Sequence, residues 1–367
     1  MIDKNFFWDI NYGALTFVEK LKKESSPSYY PLAKGLTKNG KLLDLGFTCY
    51  VLKIFYMTGE WERLNEEKKK GYIDFINSFQ STNKEVPQNY YLDDNLYKSY
   101  KSMSASTFKY LLKNLLNMTG NYNFPSRTQD LEKAINADNK QAISTLYELG
   151  NKNERKIENI FNEENNVINY LNSLDWSRPW NAGAQFSSLC VYSETQNFNY
   201  KRTLESFILT KLNSQTGSYH NPNISDNREV INGAMKVISG LDWLGSEIHH
   251  PKKLIDFCLD NKPYLEGCDV VDYVYVLYKC LKQENHRRKE IQNVFTVLLD
   301  EILKLYNESD RGFSYFQNKS QTHYYGIKIS KGLDVADLHG TTLCIWAINM
   351  ILEGLEMSNK DMKVIKP

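Results

Sequence analysis

The sequence predicts an all-α protein in which helical hairpins curl into a toroid of inner and outer helices. Three features of the chain support this prediction. A glycine-bearing turn followed by a helix of small and apolar residues recurs, as at 216–219 with 231–241 and at 311–316 with 337–346. Apolar residues three and four apart are frequent, while stretches that alternate polar and apolar residues are sparse. The small-residue helices also follow one another at similar intervals, which indicates a structural repeat.

The individual helices are recognised by their spacing and by their ends. Residues 42–56 place apolar side chains three and four apart and stop before Gly59, and residues 137–149 stop before Gly150. Glycine is the residue that most often ends a helix, because it adopts the left-handed backbone conformation freely. We predict six helices of this kind, at 42–56, 137–149, 184–192, 231–241, 272–281 and 337–346.

The intervals between equivalent positions suggest a period in the mid-forties. The distance is 45 residues from Ala142 to Ser187, 45 from Ser187 to Asn232 and 40 from Asn232 to Asp272. Such a period accommodates two helices and two connections. Helical hairpins of this length stack into an open solenoid or close into a ring of inner and outer helices.

Two intervals are longer than this period. Gly46 to Ala142 is 96 residues, which equals twice 48, and Asp272 to Thr341 is 69 residues. We interpret the first interval as two units and the second as one unit with an insertion or a degenerate copy.

Closure is favoured over an open array. The predicted inner helices are rich in Gly, Ala, Ser, Thr and Asn, and small residues permit tight convergence around an axis. No polar capping repeat follows at the C-terminal end, where Trp346, Met350 and Leu355 continue an apolar face. No Pro/Gly/Ser-rich linker divides the chain, so we expect one domain over 1–367, with a more diverged helical half at 1–165 and recognisable repeats at 166–357.

Composition excludes several classes of protein. Hydrophobic residues make up 41% of the 367 residues and aromatic residues 13%, which is enough for a large core. The net charge is +1, from 45 basic and 44 acidic residues, and no dense basic run predicts a nucleic-acid partner. The longest apolar stretch, 343–352, is about half of a membrane span, so we expect none.

The chain is expected to be cytoplasmic. Residues 1–5 lack a basic segment that leads into an apolar one, so no secretory signal is predicted. The six cysteines are scattered without a C-x-x-C pair, and we expect them to be small buried hydrophobic residues.

A family resemblance rests on two copies of the repeat. The run 212–219, followed by 225–228 and 231–234, resembles the repeat of terpenoid cyclases and protein prenyltransferases. In that repeat an L-D-x-x-T-G-x-(W/F/Y) turn precedes a D-x-x-x-T-x-x-A-L inner helix. Residues 312–315 with 337–345 are similar to another copy. The resemblance covers the C-terminal half of the chain and implies the (α/α)6 toroid that this family shares.

The catalytic motifs of that family are not matched. A class II cyclase would carry a D-x-D-D acid, whereas 269–272 has the wrong spacing and 91–94 lies outside the recognisable repeats. The zinc site of a protein prenyltransferase needs Asp and Cys two residues apart, and here Cys268 directly precedes Asp269. A different zinc site built from Cys268, Asp272 and His339 is conceivable, because zinc binds sulfur, oxygen and nitrogen. The cofactor is therefore left open.

Polar and aromatic residues cluster at the predicted starts of inner helices. In a closed ring these starts would face one mouth of a central cavity, where aromatic rings provide flat binding surfaces and helix N-termini favour anions. Asp272, Asp337 and His339 are candidate catalytic acids and bases. The candidate substrate-binding residues are Trp176, Arg178, Trp180, Asn181, Tyr219, His220, Asn232, Asp269 and Tyr273.

Structural roles compete with these assignments. Asp272 and Asp337 stand where helix N-caps are common. Trp176 and Trp180, four residues apart, have the spacing of a core pair. Residues 323–326 suit a surface loop, which over the cavity would act as a lid.

Three hypotheses on function follow. The first is an enzyme, or a relative of one, that holds an isoprenoid or polyprenyl-linked substrate in an aromatic central cavity. The second is a saccharide-processing hydrolase or lyase that uses Asp and His as acid and base. The third is a non-catalytic binding or scaffold protein. A prenyl, saccharide or other small-molecule ligand is expected, while the oligomeric state is left open.

Overall fold

The structure is a computed structural model that describes residues 4–102, 104–120, 124, 126–161, 163–222, 224, 226–262 and 266–367. Ser225, part of the predicted repeat motif, lies outside these ranges. Within them the chain forms sixteen helices and four two-residue strands, which confirms the all-α class. The helices are α1 (Lys4–Lys20), α2 (Lys38–Leu42), α3 (Leu45–Met57), α4 (Glu60–Arg63), α5 (Glu66–Asn77), α6 (Asp94–Ser102), α7 (Ser104–Met118), α8 (Arg127–Glu148), α9 (Glu164–Ser173), α10 (Pro179–Gln196), α11 (Lys201–Leu209), α12 (Asn227–Leu244), α13 (Pro251–Asp260), α14 (Cys268–Gln283), α15 (Arg288–Leu303) and α16 (Leu338–Gly354). The strands are β1 (Tyr306–Asn307), β2 (Gly312–Phe313), β3 (His323–Tyr324) and β4 (Ile327–Lys328).

Six helices contact one another in a closed order. The contacts run from α3 to α8, α10, α12, α14 and α16, and α16 contacts α3 again. Each of the six predicted small-residue helices corresponds to one member of this closed order. Gly59 and Gly150 follow α3 and α8 with φ of 73° and 74°, as the predicted glycine stops require.

Other helices pack against this closed order. α13 and α15 contact α14, α15 also contacts α16, α11 contacts α10, and α5 contacts α3. α1 contacts both α3 and α16, where the first and last members of the order meet. Of the helices described, none combines the length and the apolar character that a transmembrane span requires.

The two long intervals both contain insertions. Between α3 and α8 the described residues form α4 to α7, none of which joins the closed order. The interval of 96 residues is therefore one unit with an insertion, and its interpretation as two units is wrong. The interval of 69 residues contains α15 and two antiparallel hairpins, β1 with β2 and β3 with β4, so its predicted insertion is confirmed.

Small residues permit the close approach of α10 and α12. A Cβ atom added at Gly233 would lie 2.5 Å from Pro179 Cβ, and one at Gly240 would lie 2.9 Å from Cys190 Sγ. The hydroxyls of Ser187 and Ser239 are 2.9 Å apart across the same interface. Glycine and serine at these positions therefore allow two helix backbones to come together without a clash.

Candidate functional site

His339 lies between two tyrosine rings. It is the second residue of α16, and its ring stacks on Tyr50 of α3 at 4.7 Å with an interplanar angle of 12°. Tyr315 follows β2 in the chain, and the centre of its ring lies 4.9 Å from that of His339 with an interplanar angle of 37°. The buried Nδ1 atom of His339 has no hydrogen-bond partner among the described residues. Burial, together with the charges of Lys236 and Lys53, lowers the pKa of His339 to about 3, so its imidazole is neutral at physiological pH.

Asp272, like His339, has a buried polar atom without a hydrogen-bond partner among the described residues. It lies in the second turn of α14, where 2% of the residue is exposed, and its Oδ1 is 3.7 Å from Lys236 Nζ. Its Oδ2 is buried and has no partner within the ranges that the structure describes. Burial raises the pKa of Asp272 to about 6, although the charge of Lys236 opposes the rise. Because α14 begins at Cys268 with Gly267 as N-cap, the interpretation of Asp272 as an N-cap is wrong.

Three lysines on three helices of the closed order influence one another electrostatically. They are Lys53 on α3, Lys140 on α8 and Lys236 on α12. The charge of Lys236 acts on the pKa of both Lys53 and Lys140, and α3 lies three steps from α12 in either direction around the order. Lys53 and Lys140 make no ion pair or hydrogen bond with any described residue. Burial lowers the pKa of both Lys53 and Lys140, although the charge of Glu148 opposes the change at Lys53.

We define the central cluster as Tyr50, Lys53, Lys140, Lys236, Asp272, Tyr315 and His339. Lys53 and Asp272 are buried, whereas the other five members are partly exposed. All members except Tyr315 lie on helices of the closed order, each of which packs against a neighbour on both sides. Partial exposure at such positions indicates solvent-accessible space between the helices.

The β3–β4 hairpin approaches the cluster. At its tip Tyr325 has φ of 42° and is 37% exposed. Burial raises the pKa of Tyr325, and so do Asp138 on α8 and Cys268 on α14. Tyr325 therefore lies near titratable groups of two separate helices of the closed order, a position that suits the predicted lid.

A cavity of about 690 Å³ lies beside the cluster, at the starts of α10, α12 and α14. Its lining includes Trp180, Arg228 and Asp269, together with Cys268 and Tyr315, whose sulfur and hydroxyl are 3.1 Å apart. Arg228 Nε lies 2.7 Å from Asp269 Oδ2, and its guanidinium is 5.8 Å from the centre of the Trp180 ring. This cavity therefore combines an aromatic surface with a cation held in place by a buried carboxylate.

Two of the predicted binding residues, Trp180 and Asp269, line this cavity, and a third, Asn232, bonds to one of them. Asn232 donates from Nδ2 to Asp269 Oδ1 over 2.7 Å, and Trp180 forms part of the wall. Arg178 and Asn181 instead line a separate cavity of about 630 Å³, together with Tyr90 and other residues.

Asp337 has a different environment from Asp272. Its Oδ1 accepts a hydrogen bond from the Gly340 backbone N–H at 2.8 Å, which confirms the N-cap interpretation. Its Oδ2 accepts from the backbone N–H groups of Tyr315 and Gln321 at 2.8 and 2.9 Å. Asp337 therefore holds the segment that presents Tyr315 to His339.

Four other predicted binding residues bond elsewhere. Trp176 is fully buried and donates from Nε1 to Leu171 O at 2.9 Å. Tyr273 donates to Cys258 O on α13 at 3.0 Å, and Tyr219 pairs its hydroxyl with His249 Nδ1 at 2.9 Å. The structure also places His220 against Thr216, with its Nε2 3.1 Å from the threonine hydroxyl.

The sequence analysis did not identify the three lysines of the central cluster, although one sequence feature pointed to Lys53. Lys53 is the single charged residue in an otherwise apolar stretch of α3, which is unusual for a buried helix. Lys236 follows Asn232 by four residues and so lies on the same face of α12.

A metal centre finds no support in the donor groups. Across the described ranges, no three His, Cys, Asp or Glu side chains are grouped so that they would hold an ion, and this includes Cys268, Asp272 and His339. Comparison with known proteins adds no assignment: no family model, curated protein or solved structure matches the chain. The function therefore has to be argued from the central cluster itself.

Proposed function

We propose that the closed order of six helices is the inner layer of an α/α toroid, of the type shared by terpenoid cyclases and protein prenyltransferases. We further propose that the protein is an enzyme, or a relative of one, that binds an isoprenoid or polyprenyl-linked molecule in the central cluster. The closed helix contacts and the outer helices support the first proposal. The aromatic and lysine residues of the central cluster support the second proposal.

The observation that carries the second proposal is the stacked arrangement of His339 between Tyr50 and Tyr315. Aromatic faces provide a large apolar contact surface for an unsaturated hydrocarbon chain. Lys53 and Lys236 lie close enough to lower the pKa of His339, and lysine ammonium groups bind phosphates as point charges. An apolar chain with a phosphate or diphosphate headgroup matches both features.

Proton transfer is the chemistry that the cluster favours. The free Oδ2 of Asp272 and the free Nδ1 of His339 are buried polar atoms that no described residue satisfies. Burial raises the pKa of the carboxyl group and lowers that of the imidazole, so the two groups have distinct roles near neutral pH. Asp272 is the proposed proton donor or acceptor, and neutral His339 is its counterpart.

Binding measurements test the proposal. Isothermal titration calorimetry of the full chain with farnesyl diphosphate is expected to show binding at least about tenfold tighter than with inorganic diphosphate, since the chain adds apolar burial. Lys236→Gln should weaken binding of both probes. Lys70→Gln, at an exposed position on α5, is the matched control and should leave both unchanged. Equal affinity for the two probes, or equal effects of the two substitutions, would contradict the proposal.

A saccharide substrate is the second candidate. Its support is the cavity of about 690 Å³ at the starts of α10, α12 and α14. Trp180 offers a partly exposed ring there, and Asp269 and Arg228 offer hydrogen bonds to hydroxyl groups. If cellobiose binds and Trp180→Ala abolishes that binding while farnesyl diphosphate shows no heat, the saccharide hypothesis replaces the isoprenoid one. If neither probe binds, the scaffold hypothesis is favoured.

A further inference from the structure

Helix α7 exposes the large apolar residues of one of its faces. Leu111, Leu112, Leu115 and Met118 are 56%, 50%, 62% and 83% exposed, respectively. Positions 111, 115 and 118 follow one another by four and three residues, so they lie on the same face of the helix, and position 112 lies beside them. We define these four residues as the α7 apolar face. Adjacent exposed apolar side chains of this size mark an interaction surface.

The polar side of α7 holds the helix against the rest of the chain. Tyr110 donates from its hydroxyl to Asp130 Oδ2 on α8 at 2.8 Å, and Lys113 Nζ donates to the same oxygen at 3.2 Å. The Asn117 side chain accepts from the Phe124 backbone N–H at 2.7 Å and donates to Phe124 O at 2.9 Å. The helix is therefore oriented with its polar side toward the protein, and this orientation leaves the α7 apolar face toward solvent.

The α7 apolar face needs a partner for energetic reasons. α7 has 15 residues, and a helix of this length is marginal in water unless an apolar face is buried. Among the described helices and strands, none packs extensively against α7. The partner that buries this face therefore has to come from outside the described part of the chain.

The charge around α7 indicates the chemistry of that partner. Residues 95–129 contain four lysines and one arginine but no aspartate or glutamate, although the whole chain has 44 acidic and 45 basic residues. Lys98 and Lys101 on α6 are exposed, and their ion pairs with Asp94 and Glu85, at 4.0 and 3.0 Å, lie at the surface, where such pairs are weak. A second copy of the chain would bring two basic segments together, whereas an anionic partner is attracted to one.

We propose that α7 docks on the surface of a bilayer that contains anionic lipids. The helix lies in the plane of the interface, with the α7 apolar face among the acyl chains and with Lys98 and Lys101, which precede α7 in the chain, near the headgroups. A leucine-rich face on a helix with nearby lysines is the pattern of helices that bind at this depth. Lysines close to an anionic leaflet each add to the attraction. The proposal goes beyond ligand binding in the central cluster and does not depend on it.

Vesicle flotation tests the proposal. The full chain is mixed with vesicles of phosphatidylcholine alone, or of phosphatidylcholine with about 30% phosphatidylglycerol, and the bound fraction is measured after centrifugation. Binding to the anionic vesicles is expected to be at least about tenfold stronger than binding to the neutral ones, and to weaken as salt rises from about 0.1 M to about 0.5 M. These vesicles contain no isoprenoid, so the result is independent of what the central cluster binds. Equal binding to both kinds of vesicle, or binding to neither, would overturn the proposal.

Substitutions in the α7 apolar face assign the binding to this helix. Leu111→Gln combined with Leu115→Gln removes two exposed apolar side chains and should weaken binding to anionic vesicles at least about tenfold. The matched control combines Leu209→Gln on α11 with Val297→Gln on α15, where the side chains are 51% and 56% exposed, and should bind as the wild type does. Undiminished binding of the α7 variant, or an equal loss in the control, would contradict the assignment.

The electrostatic part of the attraction has its own variants. Lys98→Gln combined with Lys101→Gln should weaken binding to anionic vesicles by about three- to tenfold and reduce its dependence on salt. Lys68→Gln combined with Lys70→Gln, at exposed positions of α5, removes the same charge elsewhere and should have a smaller effect. Equal effects of the two pairs would show that the net charge of the chain, and not the position of these lysines, directs it to the lipid.

Sedimentation velocity without lipid distinguishes a second copy of the chain as the partner. Wild type and the variant with Leu111→Gln and Leu115→Gln are expected to sediment alike. A wild-type dimer that these two substitutions convert to a monomer would show that a second copy covers the α7 apolar face, and would overturn the proposal.

Discussion

Tyr324 donates a hydrogen bond of 2.9 Å to Asp138 Oδ1 and so joins the β3–β4 hairpin to α8 at a buried position. Asp138 is 1% exposed, and its Oδ2 has no partner among the residues described. Burial, followed by the charge of Asp93, raises the pKa of Asp138 to about 8 although the Tyr324 hydrogen bond opposes the rise. The folded chain therefore favours the protonated carboxyl group at this site.

A pH-dependent stability follows from this carboxyl group. Between about pH 4, where an unfolded Asp titrates, and about pH 8, the folded state binds more protons than the unfolded state at Asp138. The contribution of Asp138 to the free energy of unfolding is therefore greatest at low pH and is lost as pH rises. Asp138→Asn cannot titrate, so its free energy of unfolding relative to wild type should increase by more than about 1 kcal/mol across this window.

Urea denaturation at several pH values measures this difference. Tyr324→Phe serves as the companion variant, because it removes the hydrogen bond but keeps the carboxyl group. It should retain the wild-type trend with pH. Parallel stability curves for wild type and Asp138→Asn would show that Asp138 is not held protonated.

Replacement of Gly233 by alanine should destabilise the α10–α12 interface. The added Cβ would lie 2.5 Å from Pro179 Cβ and 3.0 Å from its backbone carbonyl carbon, so one helix would have to move. We expect a loss of about 1–3 kcal/mol in chemical denaturation. Gly71→Ala is the matched control, because no described atom lies within 4 Å of the added Cβ, and a stabilisation of about 0.5–1 kcal/mol is expected there. Equal changes at both positions would argue against close packing of α10 and α12.

The six helices were predictable because their signals are local. Small residues, apolar spacing and glycine stops are all read from neighbouring positions, and α3 and α8 end at Gly59 and Gly150 as predicted. The insertions were harder to predict because the number of residues between two helices does not show whether the intervening helices join the closed order. Only the direct contact of α3 with α8 shows that α4 to α7 do not.

The site was predicted less completely, for a geometric reason. Tyr273 follows Asp272 directly, but successive residues of a helix differ by about 100° in direction, and its hydroxyl bonds to Cys258 on the outer α13. Lys53 and Lys236 are far apart in sequence, and the charge of Lys236 acts on Lys53 only because the six helices contact one another in a closed order. Their proximity is therefore a product of the tertiary fold, which no local pattern shows.

Removal of the Asp337 carboxylate should affect stability more than ligand binding. Asp337→Ala deletes the acceptor of three backbone hydrogen bonds, from Gly340, Tyr315 and Gln321. A loss of about 1–3 kcal/mol is expected from the missing cap and the unsatisfied N–H groups. Asp334→Ala, at an exposed position, is the control and should change stability by less than about 0.5 kcal/mol. Unchanged stability with abolished ligand turnover would instead assign Asp337 a catalytic role.

Asp272→Asn should separate binding from reaction. Asp272 competes with an anionic ligand for Lys236, whose Nζ is 3.7 Å from Oδ1, so its neutralisation should tighten diphosphate binding by about two- to fivefold. The same change removes the proposed proton-transfer group and should abolish turnover, while the melting temperature changes little. Asp260→Asn, exposed at the end of α13, is the control and should alter neither quantity. A fall in melting temperature of several degrees with turnover intact would make Asp272 a structural residue.

The central claim is that six helices close around a space that receives a small molecule. A crystal structure of the full chain with farnesyl diphosphate tests it most directly. The predicted result is ligand density inside the closed order, with the headgroup at Lys236 and Lys53 and the hydrocarbon chain against Tyr50 and Tyr315. Helices whose first and last members do not touch, or a centre filled by packed side chains with ligand only on the outer surface, would contradict it.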